Sequence, residues 1–322
     1  MALLIHDQLV HFLRDLYSVE LQALAQLKPA PDSAGDPVIG ADFRQHYIET
    51  EQQADRIRQR LEAAGGSPSA LRDAIMELGG KAFLLFAKLQ PETPGRLVAH
   101  AYAYEAMEWA GYAILIRVAE KAEDGDTVGL ARNIQAEERA MMERLAGHFD
   151  RAEAASHQDT PPEALPEQVR KHLQEAHALE SQGAKLLEKA EDLAGDSALA
   201  DIYRLQHAQT QDHLAALEAR LTALGDDTST LKDSAMKLGA LNWGMFFKAQ
   251  QDTPAKLLAF AYAVQHLQIA GYELLQRVAR RTADGETQAL AARLGEQTAK
   301  MAKKLSTQVD VAVDATLRQA ED

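Results

Sequence analysis

Residues 98–119 read VAHAYAYEAMEWAGYAILIRVA. At helical spacing Val98, Ala101, Glu105, Glu108, Tyr112, Leu115 and Ala119 fall on one seam, the arrangement of a helix face turned towards a core. Two carboxylates one turn apart therefore sit among apolar side chains, where an unpaired charge costs on the order of several kcal/mol. Something must neutralise them. The residues leave open a metal ion shared with carboxylates of other helices, an internal ion pair, or a shared proton.

Three further segments carry the same period. Residues 4–28 place Leu9, Leu13, Leu16, Glu20, Leu24 and Leu27 on one seam. Residues 41–64 give an apolar stripe of Phe43, Tyr47, Thr50, Ala54, Ile57 and Leu61, with His46, Glu49 and Gln53 in the adjoining row, and Gly65-Gly66 ends the helix. After Asp124-Gly125-Asp126-Thr127, the residues Leu130, Ile134, Glu138, Met141 and Leu145 make a fourth seam. Each of four helices thus brings a carboxylate to a core or to its edge. Arg56 is the best placed arginine to pair with them.

The breaks between helices are equally legible. KPAPDSAGDPV (28–38) interrupts the first helix with three prolines, and Thr93-Pro94 supplies a cap and a first helical proline for the third. Between them SPSALRDAIMELGGKAFLLFAKLQ (67–90) is a crossover whose Phe83, Leu84, Leu85 and Phe86 either cover the open side of a bundle or line a substrate channel. RAEAASHQDTPPEALP (151–166) has no helical period and contains Pro161, Pro162 and Pro166, which makes it a linker.

Beyond the linker the chain begins again. Glu180 stands 160 residues after Glu20, and Arg220-Leu221 answers Arg60-Leu61 at the same spacing. AYAVQHLQIAGY (261–272) answers AYAYEAMEWAGY (101–112), and ADGET (283–287) answers EDGDT (123–127). A constant offset over this span is a tandem domain duplication, with a first domain at 1–150, a linker at 151–166 and a second domain at 167–322.

The copies differ systematically in their seams. Glu105 becomes Gln265, Glu108 becomes Gln268, Glu49 becomes Gln209, Glu137 becomes Gln297 and Glu138 becomes Thr298, while Glu20 persists as Glu180. Glutamine keeps the size of glutamate and removes its charge, so a core with no cation to balance drifts this way. The sequence therefore places a metal in the first copy and a degenerate site in the second. His207, His213 and His266 of the second copy either make a different metal site with Asp212 and Glu180 or, as expected, lie on the surface, with Trp109 and Trp243 in a core or interface and Lys300, Lys303 and Lys304 on a solvated helix face.

Composition narrows the classes. With Lys and Arg at 34 against Asp and Glu at 48, the net charge of −14 leaves no basic block to neutralise phosphates, which excludes a nucleic-acid partner. The absence of cysteine removes disulfides and thiolate ligands and leaves carboxylate and imidazole. No apolar run approaches membrane-spanning length, and MALLIHDQLVHFLRDLY has no basic start of the signal-peptide kind, so a cytoplasmic location is expected. Val/Ile/Thr-rich runs of strand length are missing, so the class reads as all-α.

Carboxylates from four antiparallel helices are the means by which ferritin-like bundles hold two irons or manganeses. LRDLYSVELQ (13–22) and HYIETEQQADRI (46–57) resemble the first two helices of the YciE/YciF family of ferritin-like bacterial proteins. YEAMEWAGY (104–112) is similar to that family's third-helix motif and AEERAMMERL (136–145) to its fourth. Ala106 and Met142 stand where the family carries a histidine and an aspartate. The resemblance covers the first copy and, more faintly, the second. It implies dimetal ligation by Glu20, Glu49, Glu105, Glu108 and Glu138 and an association with stress responses.

The expectation is an all-α chain of two tandem ferritin-like four-helix bundles forming a pseudo-symmetric pair, with iron or manganese bound by the N-terminal repeat only. The partners expected are the two repeats packed on each other and, beyond the chain, a homo-oligomer, with no nucleic acid and no membrane. The function expected is action on oxygen or peroxide, or iron sequestration, with Tyr112 or Tyr104 donating a hydrogen bond or an electron. The alternative is a non-enzymatic helical scaffold with a vestigial site.

Overall fold

Capping residues divide the chain into its elements. In the computed structural model, which describes residues 2–68, 94–226 and 252–321, every regular element is helical. The first of two compact units, Met1–Ser156, contains α1 (Ala2–Leu27), the single turn α2 (Ala30–Ser33), α3 (Pro37–Ala63), α4 (Pro94–Lys121), α5 (Gly125–Ala146) and the short α6 (Phe149–Ser156). The second, His157–Ala320, contains α7 (Leu165–Leu193), α8 (Ser197–Ala223), α9 (Thr253–Arg281), α10 (Gly285–Ser306) and α11 (Val309–Glu321), after a turn of 3-10 helix at Pro162–Ala164.

In the first unit α1 packs on α3, α3 on α5, α5 on α4 and α4 on α1, closing a ring of four long helices. Short connections make α1 with α3, and α4 with α5, antiparallel neighbours. The second unit repeats the ring with α7, α8, α10 and α9. No helix among the described residues is long and apolar enough to cross a membrane.

The ends of these helices follow from local chemistry. The Asp36 side chain accepts hydrogen bonds from the backbone N–H groups of Val38 (2.8 Å) and Ile39 (3.1 Å), and Pro37 holds the first helical position of α3. Gly65, at φ +81°, turns the chain out of α3, while the Gly66 N–H returns to the Leu61 carbonyl at 2.9 Å. At the far end of the ring Asp124 caps α5 through the Thr127 N–H (3.1 Å), and Arg60 of α3 binds both Asp124 and Thr127 Oγ1 (2.7 Å). Arg220, Asp284 and Thr287 repeat this knot in the second unit.

The cores repeat as well. Val169, Leu173, Leu217, Leu221, Tyr272, Leu275, Val278 and Leu294 cluster in the second unit. Leu9, Leu13, Ile57, Leu61, Tyr112, Leu115, Val118 and Ile134 are the matching buried residues of the first. Of the seven seam positions read in α4, six are buried and Ala101 is partly exposed.

Three expectations meet the structure differently. The stretch 151–166 is in part helical, since α6 runs to Ser156 and α7 begins at Leu165. Buried Phe149 and Ala152 of α6 lie on the side that packs against α4, which gives this alanine-rich segment a reason to fold. Thr253 and Pro254 stand 160 residues after Thr93 and Pro94, but in the second copy Asp252, one residue earlier, takes the cap position of α9. The crossover at 67–90 with Phe83–Phe86, the residue Thr93 and Trp243 fall largely or wholly outside the described residues.

Both units leave their third long helix through a residue other than glycine in the left-handed region, Glu123 (φ 55°) and Ala283 (φ 56°). A Cβ there costs about 1–2 kcal/mol, of which glycine's greater unfolded-state entropy cancels roughly 0.4–1. Ala283→Gly is therefore expected to stabilise the second unit by up to about 1 kcal/mol. In calorimetry its transition should rise by about 2–4 °C, and a fall would contradict the strain.

Candidate metal centre

Four helices of the first unit send polar side chains into the middle of the ring. Glu20 comes from α1, His46 from α3, Glu105 and Glu108 from α4, and Glu138 from α5, and each is at most 2% exposed. His46 Nε2 lies 3.1 Å from Glu105 Oε1, and His46, Glu105 and Glu138 each offer a ligand atom within 4.8 Å of the others. Tyr112, from the same seam as Glu105 and Glu108, donates its hydroxyl hydrogen to Glu20 Oε1. Five of the six remaining carboxylate oxygens lack hydrogen-bond partners: Glu20 Oε2, Glu105 Oε2, Glu108 Oε1 and both oxygens of Glu138. Buried acceptors are ordinarily satisfied, so five in one cluster call for a proton or a cation.

The electrostatics follow. Burial pushes Glu20 up to about 8, against the hydrogen bond from Tyr112, which lowers it. Burial, reinforced by Glu20 and Glu105, holds Glu108 well above the usual carboxylate range, and burial with Glu108, Glu105 and Glu20 does the same to Glu138. His46 moves to about 9: burial alone would lower it, but the charge and hydrogen bond of Glu105, joined by those of Glu49, outweigh that effect. Burial and the charges of Glu20 and Glu138 keep Tyr112 protonated, which fixes it as the donor.

The arginine expected to balance the cluster does not enter it. Arg56 is bonded at the rim to Glu137 (Nη1 to Oε1, 3.1 Å), which also accepts from Gln53 Nε2 at 3.1 Å. Of the five carboxylates singled out in the sequence, Glu20, Glu105, Glu108 and Glu138 come together. Glu49 sits at the edge, with Arg144 Nη2 at 2.7 Å and His46 Nδ1 at 3.3 Å. The His46 hydrogen bond, with that of Arg144, lowers Glu49 to about 2 against its partial burial.

His46 thus occupies the inward position on α3, which the apolar stripe did not assign to it. The stripe read in the sequence is buried at Phe43, Thr50, Ala54, Ile57 and Leu61 and only partly at Tyr47, and His46 and Gln53 of the adjoining row are buried beside it. The signal was present in the spacing, but it ran through polar residues.

The second unit fills the same volume differently. Glu180 Oε1 accepts from the Tyr272 hydroxyl (2.5 Å) and meets His213 Nδ1 at 3.0 Å, and His213 Nε2 lies 3.2 Å from Gln297 Oε1. Gln265 donates to Gln268 at 2.6 Å, and Thr298 bonds its own helix at Leu294. Here one buried carboxylate meets one imidazole, with neutral amides around them. His213 and His266 are buried, contrary to the surface placement expected, and His266 Nδ1 lies 2.9 Å from its own helix at the Tyr262 carbonyl. His207 is partly exposed beside Gln211, and Lys300, Lys303 and Lys304 are exposed as expected.

Two stretches of the chain, residues 5–157 and 166–318, match the model of the family described as a domain of unknown function, DUF892. The chain therefore belongs to that family, in two tandem copies. No curated protein and no solved structure matches it.

Without metal the cluster makes stability depend on pH. Glu20 rises from 4.5 to about 8 and His46 from 6.5 to about 9, so the folded first unit binds more protons than the unfolded chain between these values. The stability this contributes is complete below the unfolded values and is lost as pH rises through about 8 to 9. The melting temperature of chelator-treated protein is expected to fall between about pH 5 and pH 9, with a shallower fall in Glu20→Gln. A melting temperature that climbs across this range in both proteins would contradict the buried charge cluster.

Proposed function

We propose that this two-copy DUF892 chain is a ferritin-like protein of the YciE/YciF kind whose first unit binds iron or manganese. The activity we assign is towards oxygen or peroxide, or iron sequestration in a stress response. One observation carries the reading: four buried carboxylates converge on a single imidazole and leave five oxygens without a hydrogen-bond partner.

The donor set fits such an ion. Hard carboxylate oxygens with one imidazole suit iron and manganese, and no thiolate is present to select softer metals. Glu20, Glu105, Glu108 and Glu138 would hold the ion or ions, with His46 beside them and Glu49 at the edge. Bound there, the metal would supply Lewis acidity and one-electron chemistry towards an oxygen species. The chain's own contribution is to hold the donors in place and keep water out. Tyr112 engages one oxygen of Glu20 and leaves the other unpartnered, and Leu13, Ile57, Leu115 and Met141 of the same four helices are fully buried. Tyr104 donates to the Val19 carbonyl at 3.1 Å and to Gln22 at 3.0 Å, tying α4 to α1 one turn from Glu108.

The second unit supports confining metal to the first. Its Glu180–His213 contact can balance charge without an ion, and the residues standing where the first unit has Glu105, Glu108 and Glu138 are two amides and a hydroxyl. The competing reading is a scaffold in which protons neutralise the first cluster. Burial does raise Glu20, Glu108 and Glu138, so a protonated network is chemically coherent.

Titration of Mn²⁺, and of Fe²⁺ without oxygen, into chelator-treated protein separates the two. Metal binding is expected to raise the melting temperature of the first unit, by about 2.7 kcal/mol of linkage at a hundred times Kd. Glu105→Gln with Glu108→Gln gives the first unit the amides of the second and is expected to abolish binding while the apo fold persists. Glu180→Gln is expected to leave binding intact. A chain that binds neither ion is the scaffold.

A further inference from the structure

Glu49 and Arg144 lie outside the buried cluster, yet they are joined to it by an unbroken chain of contacts. The chain starts at the half-exposed rim. Arg144 places Nη2 2.7 Å from Glu49 Oε2 and Nη1 3.5 Å from Oε1, and Gln45 Nε2 adds a bond to Oε1 at 3.2 Å. Glu49 Oε2 lies 3.3 Å from His46 Nδ1, one helical turn back on α3. His46 then meets Glu105 through Nε2 at 3.1 Å. One imidazole, 1% exposed, thus faces a rim carboxylate with one nitrogen and the buried cluster with the other.

Resting on the metal reading of the first unit, we propose that His46 is the α3 ligand, through Nε2, and that Glu49 and Arg144 are positioning residues which hold its ring. A carboxylate on Nδ1 keeps the hydrogen on that nitrogen, so the Nε2 lone pair is the one presented to the ion, and it makes the ring a stronger donor. Glu49 can do this because both its oxygens are engaged at the rim. The same engagement keeps it from reaching inward as a ligand. Arg144 completes the arrangement by anchoring Glu49 from α5, so that two helices fix one ring.

The second unit provides an independent observation. All three members of the chain are replaced at the matching positions, His46 by Gln206, Glu49 by Gln209 and Arg144 by Lys304. Gln206 is buried, as His46 is, and Lys304 is exposed to solvent. Where the inward carboxylates are lost, the apparatus that would orient an imidazole towards them is lost with them. A purely structural surface ion pair between α3 and α5 has no reason to change together with the core.

The test uses the full chain, stripped with chelator, and Mn²⁺ as the probe. Two quantities are read: affinity, from free Mn²⁺ measured by electron paramagnetic resonance, and directly bound nitrogen, from the ¹⁴N modulation of the pulsed signal. The wild type is expected to show one bound imidazole nitrogen, and His46→Gln to lose it. Glu49→Gln is expected to weaken Mn²⁺ by about 10- to 100-fold while the nitrogen modulation remains. Arg144→Gln should weaken binding in the same direction, and Arg144→Lys should recover part of the loss. His46→Gln and Glu49→Gln install residues that the second unit already carries in a folded bundle, so both are expected to fold.

Nitrogen modulation that is absent from the wild-type complex, or that survives His46→Gln, overturns the ligand assignment. Arg144→Gln with unchanged or tighter affinity overturns the positioning role, because a Glu49 freed to act as a ligand would bind no worse. A wild-type chain that takes up no Mn²⁺ removes the metal reading itself, and this inference with it.

Discussion

Burying four carboxylates between four helices is the constraint on which the first unit depends. Each acid taken out of water must be neutralised, and the helices carrying them supply one imidazole and no inward arginine or lysine among the described residues. The seam of α4 shows the consequence most directly. Glu105 and Glu108 are held one turn apart by backbone geometry, so neither can swing to the surface without breaking the face that also carries Tyr112 and Leu115. Apolar packing thus enforces an arrangement that the same carboxylates would oppose by mutual repulsion.

The two units show this constraint kept and released on one framework. The apolar clusters match position for position, the Arg–Asp–Thr knot recurs, and in both units a tyrosine of the third long helix donates to a glutamate of the first. The repeated parts are those that any closed ring of these helices needs. What differs is the middle, where glutamates give way to glutamines and a threonine, and where His213 appears opposite Glu180. His213 corresponds to Gln53, not to His46, so the second unit reached a balanced core by placing its imidazole on a different turn.

Periodicity made much of this legible. The α4 seam, the inward placement of Glu20 and Glu138, the caps at Asp124 and Gly65, and the repeat all follow from spacing, because a helix has one face to offer a core. The reading failed where a polar residue held an apolar position. Tyr47, partly exposed, held a place in the α3 stripe while buried His46 and Gln53 were set at its edge, and Glu49 stood equal to the other candidates through the family resemblance. The short helix at Phe149–Ser156 was missed for a related reason: its stability comes from packing on α4, and eight residues carry too little period to announce it.

The constant spacing of the duplication has a practical meaning as well. Each molecule holds two bundles with long helices of similar length, apolar residues at corresponding positions and the same closing knot, present in strictly equal amounts and in the same buffer. One therefore serves as an internal reference for the other. Heat, denaturant or ionic strength should displace both in similar measure, whereas an agent recognised through the acidic interior should separate them. The difference between the two responses is free of concentration error and of instrument drift, a differential measurement that a single-bundle protein would need a second preparation to provide.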